Sequence, residues 1–203
     1  MLERVELVIA SGNPHKIAEI AAMLEVVDQL KLLSQPDGLD IEETGITYAE
    51  NARLKAETVA KITGRWTLAD DSGLSVDALG GAPGVYSARY AGSDPERISR
   101  LLAELEGNPY RSAAFHSALA LADPTGEIVL ESEGVCRGEV LVEPVEAARS
   151  YGYNSVFYVR EAGCTYAEMS DHQLSKLGSR AKAARLLAPA LRELLGIKTA
   201  FSG

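Results

Sequence analysis

A mixed α/β fold is predicted, and three observations predict it. Apolar residues alternate near the N-terminus, at Val5, Leu7 and Ile9, and then recur at helical spacing, at Ile17, Ile20, Ala21 and Leu24. Farther along, the period returns to two over long stretches, with strand-like runs at 113–122, 127–133 and 135–142. Helical and strand patterns are interspersed over 203 residues without a linker, an internal repeat or a low-complexity tract. That arrangement gives one domain, 1–203, in which a mixed sheet is flanked by helices. With 46% hydrophobic and 24% charged residues, the chain can bury a sizeable core without disulfide or metal staples.

The elements follow in order. The first strand feeds Ser11-Gly12-Asn13-Pro14, where Asn13 suits an N-cap and Pro14 the first helical position, which needs no N–H. A short strand is expected at Leu30–Leu33, followed by a polar loop, Gln35–Ile46, containing Pro36, Gly38 and Gly45. Thr47-Tyr48-Ala49-Glu50 reads as a capping box opening a helix that runs to Ile62. Thr67–Ala69 is a short strand stopping at Asp70-Asp71-Ser72-Gly73, with Leu74, Val76 and Ala78 alternating beyond it. Gly80–Gly84 is a loop, and Asp94-Pro95 starts a helix with Ile98, Leu101, Leu102 and Leu105 facing inward. Asp123-Pro124-Thr125-Gly126 joins two of the later strands as a hairpin. A last strand is expected at Val156–Val159 and a terminal helix at Ser179–Leu195, bent at Pro189.

Charge narrows the function. There are 20 Lys+Arg against 29 Asp+Glu, a net −9, which argues against a groove for polymeric nucleic acid but not against one nucleotide carried with a metal ion. No apolar run approaches the ~18 residues that span a bilayer. Glu3, Arg4 and Glu6 break any secretory pattern, so a cytoplasmic protein without a membrane partner is expected. Cys136 and Cys164 lack metal or disulfide spacing and read as buried thiols.

Three clusters can carry chemistry. Ser11, Gly12, Asn13, Pro14, His15 and Lys16 join a strand to a helix N-terminus, where backbone N–H groups and the helix dipole attract phosphate, and Lys16 adds a cation. The spacing is neither a P-loop nor a dinucleotide fingerprint. Glu42-Glu43-Thr44 forms an acidic loop, with solvated surface as its bland alternative. Asp70-Asp71 ends an apolar strand, where sheets bind ligands; adjacent carboxylates repel unless a cation lies between them, and Mg²⁺ suits such oxygens. Asn51 and Lys55 share a helix face four residues apart. Together the clusters describe a phosphoanhydride hydrolase that uses a metal and a carboxylate to activate water. His15, His116 and His172 show no metal-ligand spacing, and no GxSxG elbow is present.

Four blocks are specific enough to resemble a known family. Ser11-Gly12-Asn13-x-x-Lys16, Glu42 through Ala56, Ala69-Asp70-Asp71-Ser72-Gly73-Leu74 and Leu79 through Arg89 resemble the inosine triphosphate pyrophosphatase family, and the similarity runs in order from residue 5 to residue 190. Members hydrolyse deaminated purine nucleoside triphosphates such as ITP, dITP and XTP to monophosphate and pyrophosphate. The resemblance implies an elongated two-lobed fold with a long central mixed sheet, a nucleotide cleft between the lobes, and a homodimer. It implies that Ser11 to Lys16 cradle the triphosphate, that Lys55 lies near the phosphates, and that Glu42 and Asp71 hold Mg²⁺. Asp71 is also the implied proton acceptor, Ser72 a substrate contact, and Tyr151, Gly152, Tyr153, Asn154 and Arg180 complete the substrate site.

The chain departs from that pattern in its C-terminal half. The family's Phe-Gly-Tyr-Asp-Pro stands here as Tyr151-Gly152-Tyr153-Asn154-Ser155, its substrate-binding lysine falls on Leu174, and its Ser-His-Arg on Gly178-Ser179-Arg180. Lys176 lies two residues from the missing lysine. An amide accepts or donates where a carboxylate only accepts, so altered or relaxed base selectivity is expected. Two alternatives stand beside the leading one: a nucleotide-binding or regulatory protein with weakened turnover, and a pyrophosphatase for another modified nucleotide, as in the Maf pyrophosphatases. Glu42 and Asp71 favour the enzyme, because a binding module has less need of a proton acceptor.

Overall fold

A computed structural model describes residues 4–24 and 29–197. Its strands are β1 (Val5–Ala10), β2 (Leu30–Ser34), β3 (Trp66–Val76), β4 (Ser112–Ala122), β5 (Ile128–Val140), β6 (Phe157–Val159) and β7 (Cys164–Thr165). Its helices are α1 (Pro14–Leu24), α2 (Tyr48–Thr63), α3 (Asp94–Glu104), α4 (Asp171–Leu177) and α5 (Ser179–Leu194), with 3₁₀ turns at Asp77–Leu79 and Gly84–Arg89. The strands form one seven-stranded sheet in the order β2-β1-β3-β4-β5-β6-β7. It is mixed, as expected: β1 runs parallel to β2 and β3, while β6 is antiparallel to β5 and β7.

The chain divides into two compact units, each assembled from separated segments. One takes the chain up to Asp71, Ala118–Glu133, and the chain from Arg180; the other takes Ser72–Ser117 and Gly134–Ser179. In the first unit the two-residue period of β1 feeds two cores. Leu7 and Ile9 join Ile20, Leu68, Leu119, Leu121, Leu187 and Leu191 on the face covered by α1 and α5. Val8 and Ala10 face the other way, toward Ala52, Ala56, Val59 and Ala60 of α2 and the alanines at 69, 118, 120 and 122. Small residues on both sides of that contact let the helix backbone lie close to the sheet. The second unit packs Leu74, Leu101, Leu105, Val140, Phe157, Tyr166 and Met169 in a core of its own, with Phe115 edge-on to Phe157 at 4.7 Å between ring centroids.

Several expectations are corrected. The strand at Thr67–Ala69 does not stop at the aspartates: β3 continues unbroken for 11 residues through Asp70-Asp71-Ser72-Gly73. The runs at 127–133 and 135–142 are one 13-residue strand, because Gly134 weakens the pattern without interrupting the ladder. The short elements α4 and β7 carry too few residues to show a period. Cys136 is buried as expected, but Cys164 is half-buried. At the start of α2, Thr47 Oγ1 accepts from the Glu50 N–H at 3.1 Å, and the Glu50 carboxylate accepts from the Ile46 N–H at 2.7 Å. Pro189 lies inside α5. Among the described residues, no helix is long and apolar enough to cross a membrane.

Gly138 of β5 has no room for a side chain beside β6: a Cβ there would lie 2.3 Å from the Tyr158 carbonyl oxygen and 2.7 Å from the Phe157 ring. Gly138→Ala is therefore expected to cost about 1–3 kcal/mol of stability by overpacking. Gly12→Ala, whose Cβ meets nothing within 4 Å, is expected to cost less than about 0.5 kcal/mol. Urea unfolding of the two variants checks the contrast.

Candidate active site

Strand β1 hands the chain to α1 through an exposed turn that its own side chains build. Ser11 Oγ accepts from the Asn13 N–H at 3.1 Å, and Asn13 Oδ1 accepts from the N–H groups of His15 and Lys16 at 2.9 and 3.3 Å. Asn13 is thus the cap that the sequence suggests, with Gly12, Pro14 and His15 exposed beside it. Lys16 turns back to the sheet and places Nζ 2.9 Å from Asp70 Oδ2.

Consecutive strand residues point to opposite faces, and this separates the two aspartates. Asp70 points to the α1 and α5 face with its side chain fully buried. There Arg180 Nε donates to Asp70 Oδ1 at 2.9 Å, and a second guanidinium nitrogen donates to Oδ2 at 3.3 Å. Arg180 also pairs with Glu19 of α1. Burial by itself would raise the Asp70 carboxyl, but the charges of Arg180 and Lys16 outweigh it and hold the group far below the usual carboxylate range. The expectation that a cation lies between the two carboxylates is therefore corrected: Asp70 has its own partners on its own face.

Asp71 points to α2. Its Oδ1 lies 3.2 Å from Lys55 Nζ, and its Oδ2 accepts from Asn51 Nδ2 at 3.1 Å. Lys55 Nζ also lies 2.6 Å from Glu43 Oε1, so the acidic loop and the strand share one lysine. Burial pushes the Asp71 carboxyl up, Lys55 and Lys16 pull it down, Glu43 adds to the rise, and the net direction is up. For Lys55, burial acts downward, but Asp71 and Glu43 prevail and raise it. Asp71 is thus a carboxyl of increased proton affinity beside a retained cation, a combination that can accept a proton. Glu42 is exposed and Ser72 half-buried. Among the described residues, no group of three or more His, Cys, Asp and Glu side chains converges on one point.

The remaining candidates belong to the second unit. Gly152, at φ 58°, takes a left-handed conformation that favours glycine, and its N–H donates to Asp94 Oδ2 of α3 at 2.7 Å. Tyr153 is buried, its hydroxyl donates to the Ser87 carbonyl at 3.0 Å, and burial pushes the phenol up. Asn154 is buried with Nδ2 donating to the Arg149 carbonyl at 3.1 Å, and Tyr151 is half-buried. Leu174 packs against the core of this unit, Lys176 is exposed in the last turn of α4, and Ser179 Oγ lies 2.9 Å from Ser117 Oγ. Leu174 thus serves as an apolar anchor for α4.

Asn51, Glu43 and Asp70 stand in the clusters read from the sequence, whereas the site implied by the family resemblance leaves them out. Asn51 had a visible signal in its four-residue spacing from Lys55; Asp70 had only the alternation of a strand whose length the sequence understates.

The model of the Ham1 family matches residues 7–190 of the chain. The chain belongs to this family. Ham1-family relatives include the dITP/XTP pyrophosphatase of Synechococcus sp. (strain CC9311), 52% identical over 195 residues, covering 96% of this chain and 93% of the relative. The dITP/XTP pyrophosphatase of Prochlorococcus marinus (strain MIT 9313) is also 52% identical over 195 residues, covering 96% and 95% of the two chains. Among solved structures, a HAM1 protein from Coxiella burnetii superposes with a TM-score of 0.82 at 40% identity, covering 93% of this chain and 99% of that one. The Ham1 protein of Staphylococcus aureus matches with the same TM-score at 35% identity and the same coverage. Both the resemblance seen in the sequence and the mixed α/β fold are borne out.

In this Ham1-family chain, Asp70→Asn removes the partner of two cations, and breaking such a buried pair is expected to cost about 3–5 kcal/mol. Because the folded Asp70 carboxyl lies below its ordinary value of 3.8, its contribution is fully present above that pH and is lost as pH falls toward the folded value. Denaturant unfolding of wild type and variant should therefore show a constant gap from neutral pH to about pH 4, narrowing below it.

Proposed function

We propose that the chain hydrolyses nonstandard purine nucleoside triphosphates, of the dITP and XTP class, to monophosphate and pyrophosphate in a metal-dependent reaction, with Mg²⁺ as the metal. The observation that carries this reading is Asp71, a buried carboxylate of raised proton affinity held between Lys55 and Asn51 in a chain whose close relatives are named dITP/XTP pyrophosphatases.

The donor set fits the metal. Magnesium takes hard oxygens from one or two carboxylates and fills its remaining positions with phosphate and water. Asp71 and Glu42 would hold the ion, which would supply charge neutralisation along the phosphates. The chain's own residues do the rest. The Asn13-capped start of α1 and Lys16 bind phosphate oxygens, Lys55 offsets charge beside Asp71, and Asp71 accepts the proton of a water attacking the α-phosphorus as pyrophosphate leaves. Ser72, Tyr151, Gly152, Tyr153 and Arg180 complete the substrate-binding set in this reading.

Asn154 bears on the base. Its amide nitrogen gives one of its two N–H groups to the Arg149 carbonyl, which leaves the second N–H and the acceptor Oδ1. The acceptor character of the family's carboxylate is kept and its charge is lost, which relaxes discrimination for 6-keto purines without reversing it.

Pyrophosphate release tests the reading. Wild type with Mg²⁺ should turn over dITP and XTP faster than dATP or GTP; equal rates across the panel, or a preference for ATP, would overturn the assigned class. Asp71→Asn should lower kcat by about 100-fold or more while nucleotide-dependent thermal stabilisation persists; near-wild-type turnover would sink Asp71 as proton acceptor. The same reading takes the protein as a cytoplasmic homodimer, so light scattering should return twice the 21.7 kDa chain mass.

A further inference from the structure

Asn51 is a fully buried polar side chain whose two ends are both used, and each end meets a different part of the site. Its Oδ1 accepts from the Gly45 N–H at 2.7 Å, and its Nδ2 donates to Asp71 Oδ2 at 3.1 Å. The amide orientation is dictated by chemistry: turned over, it would set NH₂ against an N–H donor and a carbonyl oxygen against a carboxylate. Gly45 is matched to it, because a Cβ there would lie 2.6 Å from Asn51 Oδ1 and 2.7 Å from the Glu50 Cβ. Asn51 itself stands on α2, where its N–H is bonded to the Thr47 carbonyl at 3.2 Å, so the amide is delivered by a capped helix.

We propose that Asn51 is a positioning residue for the hydrolysis proposed above: its neutral amide fixes the Asp71 carboxylate and ties the loop bearing Glu42 and Glu43 to it. The inference rests on that functional reading. Lys55 makes a parallel link between Glu43 and Asp71 through charge; Asn51 adds direction, because an amide N–H specifies which oxygen it bonds and leaves Oδ1 to the lysine. Aspartate is nearly isosteric but cannot replace it, since it would set acceptor against acceptor at Asp71 while still receiving the Gly45 N–H. Alanine removes both links.

Asn51→Asp and Asn51→Ala separate the two ends. Both are expected to lower kcat for dITP by about 100-fold, the scale of a misplaced reacting group, with KM within about threefold of wild type and the variants' folded fraction matched by circular dichroism. Amide exchange at Gly45 should be slow in wild type and Asn51→Asp, and fast in Asn51→Ala. The proposal is overturned if Asn51→Asp retains kcat within about threefold of wild type, if the loss follows the folded fraction alone, or if the Gly45 amide of wild type exchanges freely. A wild type that releases no pyrophosphate overturns the functional reading itself and the positioning role with it, whereas an active wild type beside an equally active Asn51→Asp overturns the positioning role alone.

Discussion

Two consecutive aspartates in the middle of a buried strand are the constraint on which the first unit depends. An uncompensated carboxylate in such a place costs several kcal/mol or more, and β3 carries two. Because the strand alternates, the charges leave by opposite faces, and each face must supply its own cations. The α1 and α5 face answers with Lys16 and Arg180, and the α2 face with Lys55 and the Asn51 amide. Three helices from distant parts of the sequence are thereby tied to one dipeptide.

The two compensations differ in kind, and the difference assigns the roles. Asp70 receives two cations with its side chain fully buried, and its proton affinity falls far below normal. Such a group is a fixed anion, suited to holding Lys16 and Arg180 in place. Asp71 shares its lysine with Glu43 and takes its second bond from a neutral amide, so burial prevails and its proton affinity rises. Neighbouring residues of one type become a fixed anion and a carboxyl of raised proton affinity through their surroundings. The packing that allows this is also asymmetric, for the alanines of α2 and the sheet bring the helix close enough for side chains as short as asparagine to reach the strand.

The second unit handles its polar segment by local fixing. Asp94 at the start of α3 takes the Gly152 N–H, Ser87 takes the Tyr153 hydroxyl, and the Arg149 carbonyl takes the Asn154 amide. Each bond fixes one residue of Tyr151-Gly152-Tyr153-Asn154, so a stretch without regular secondary structure has a definite conformation. The residues that depart from the family pattern fit this account: Leu174 is a core contact of α4, and Ser179 bonds Ser117.

The sequence by itself determined the mixed α/β class, the capped starts of α1 and α2, the Asp123–Gly126 hairpin and the four blocks that mark the family. These are written in short-range chemistry: period-two and period-3.6 patterns, capping side chains and turn residues act over a few positions and are visible in a linear reading. The length of β3 was not legible, because two aspartates followed by Ser-Gly read as a strand end unless their buried partners are known. Those partners come from Lys16, Asn51, Lys55 and Arg180, up to 110 residues away in the sequence. Only the tertiary structure decided that Asp70 and Asp71 face opposite ways, and so which one is the fixed anion and which has a raised affinity for a proton, because proton affinity is set by burial and by the charges that folding brings near.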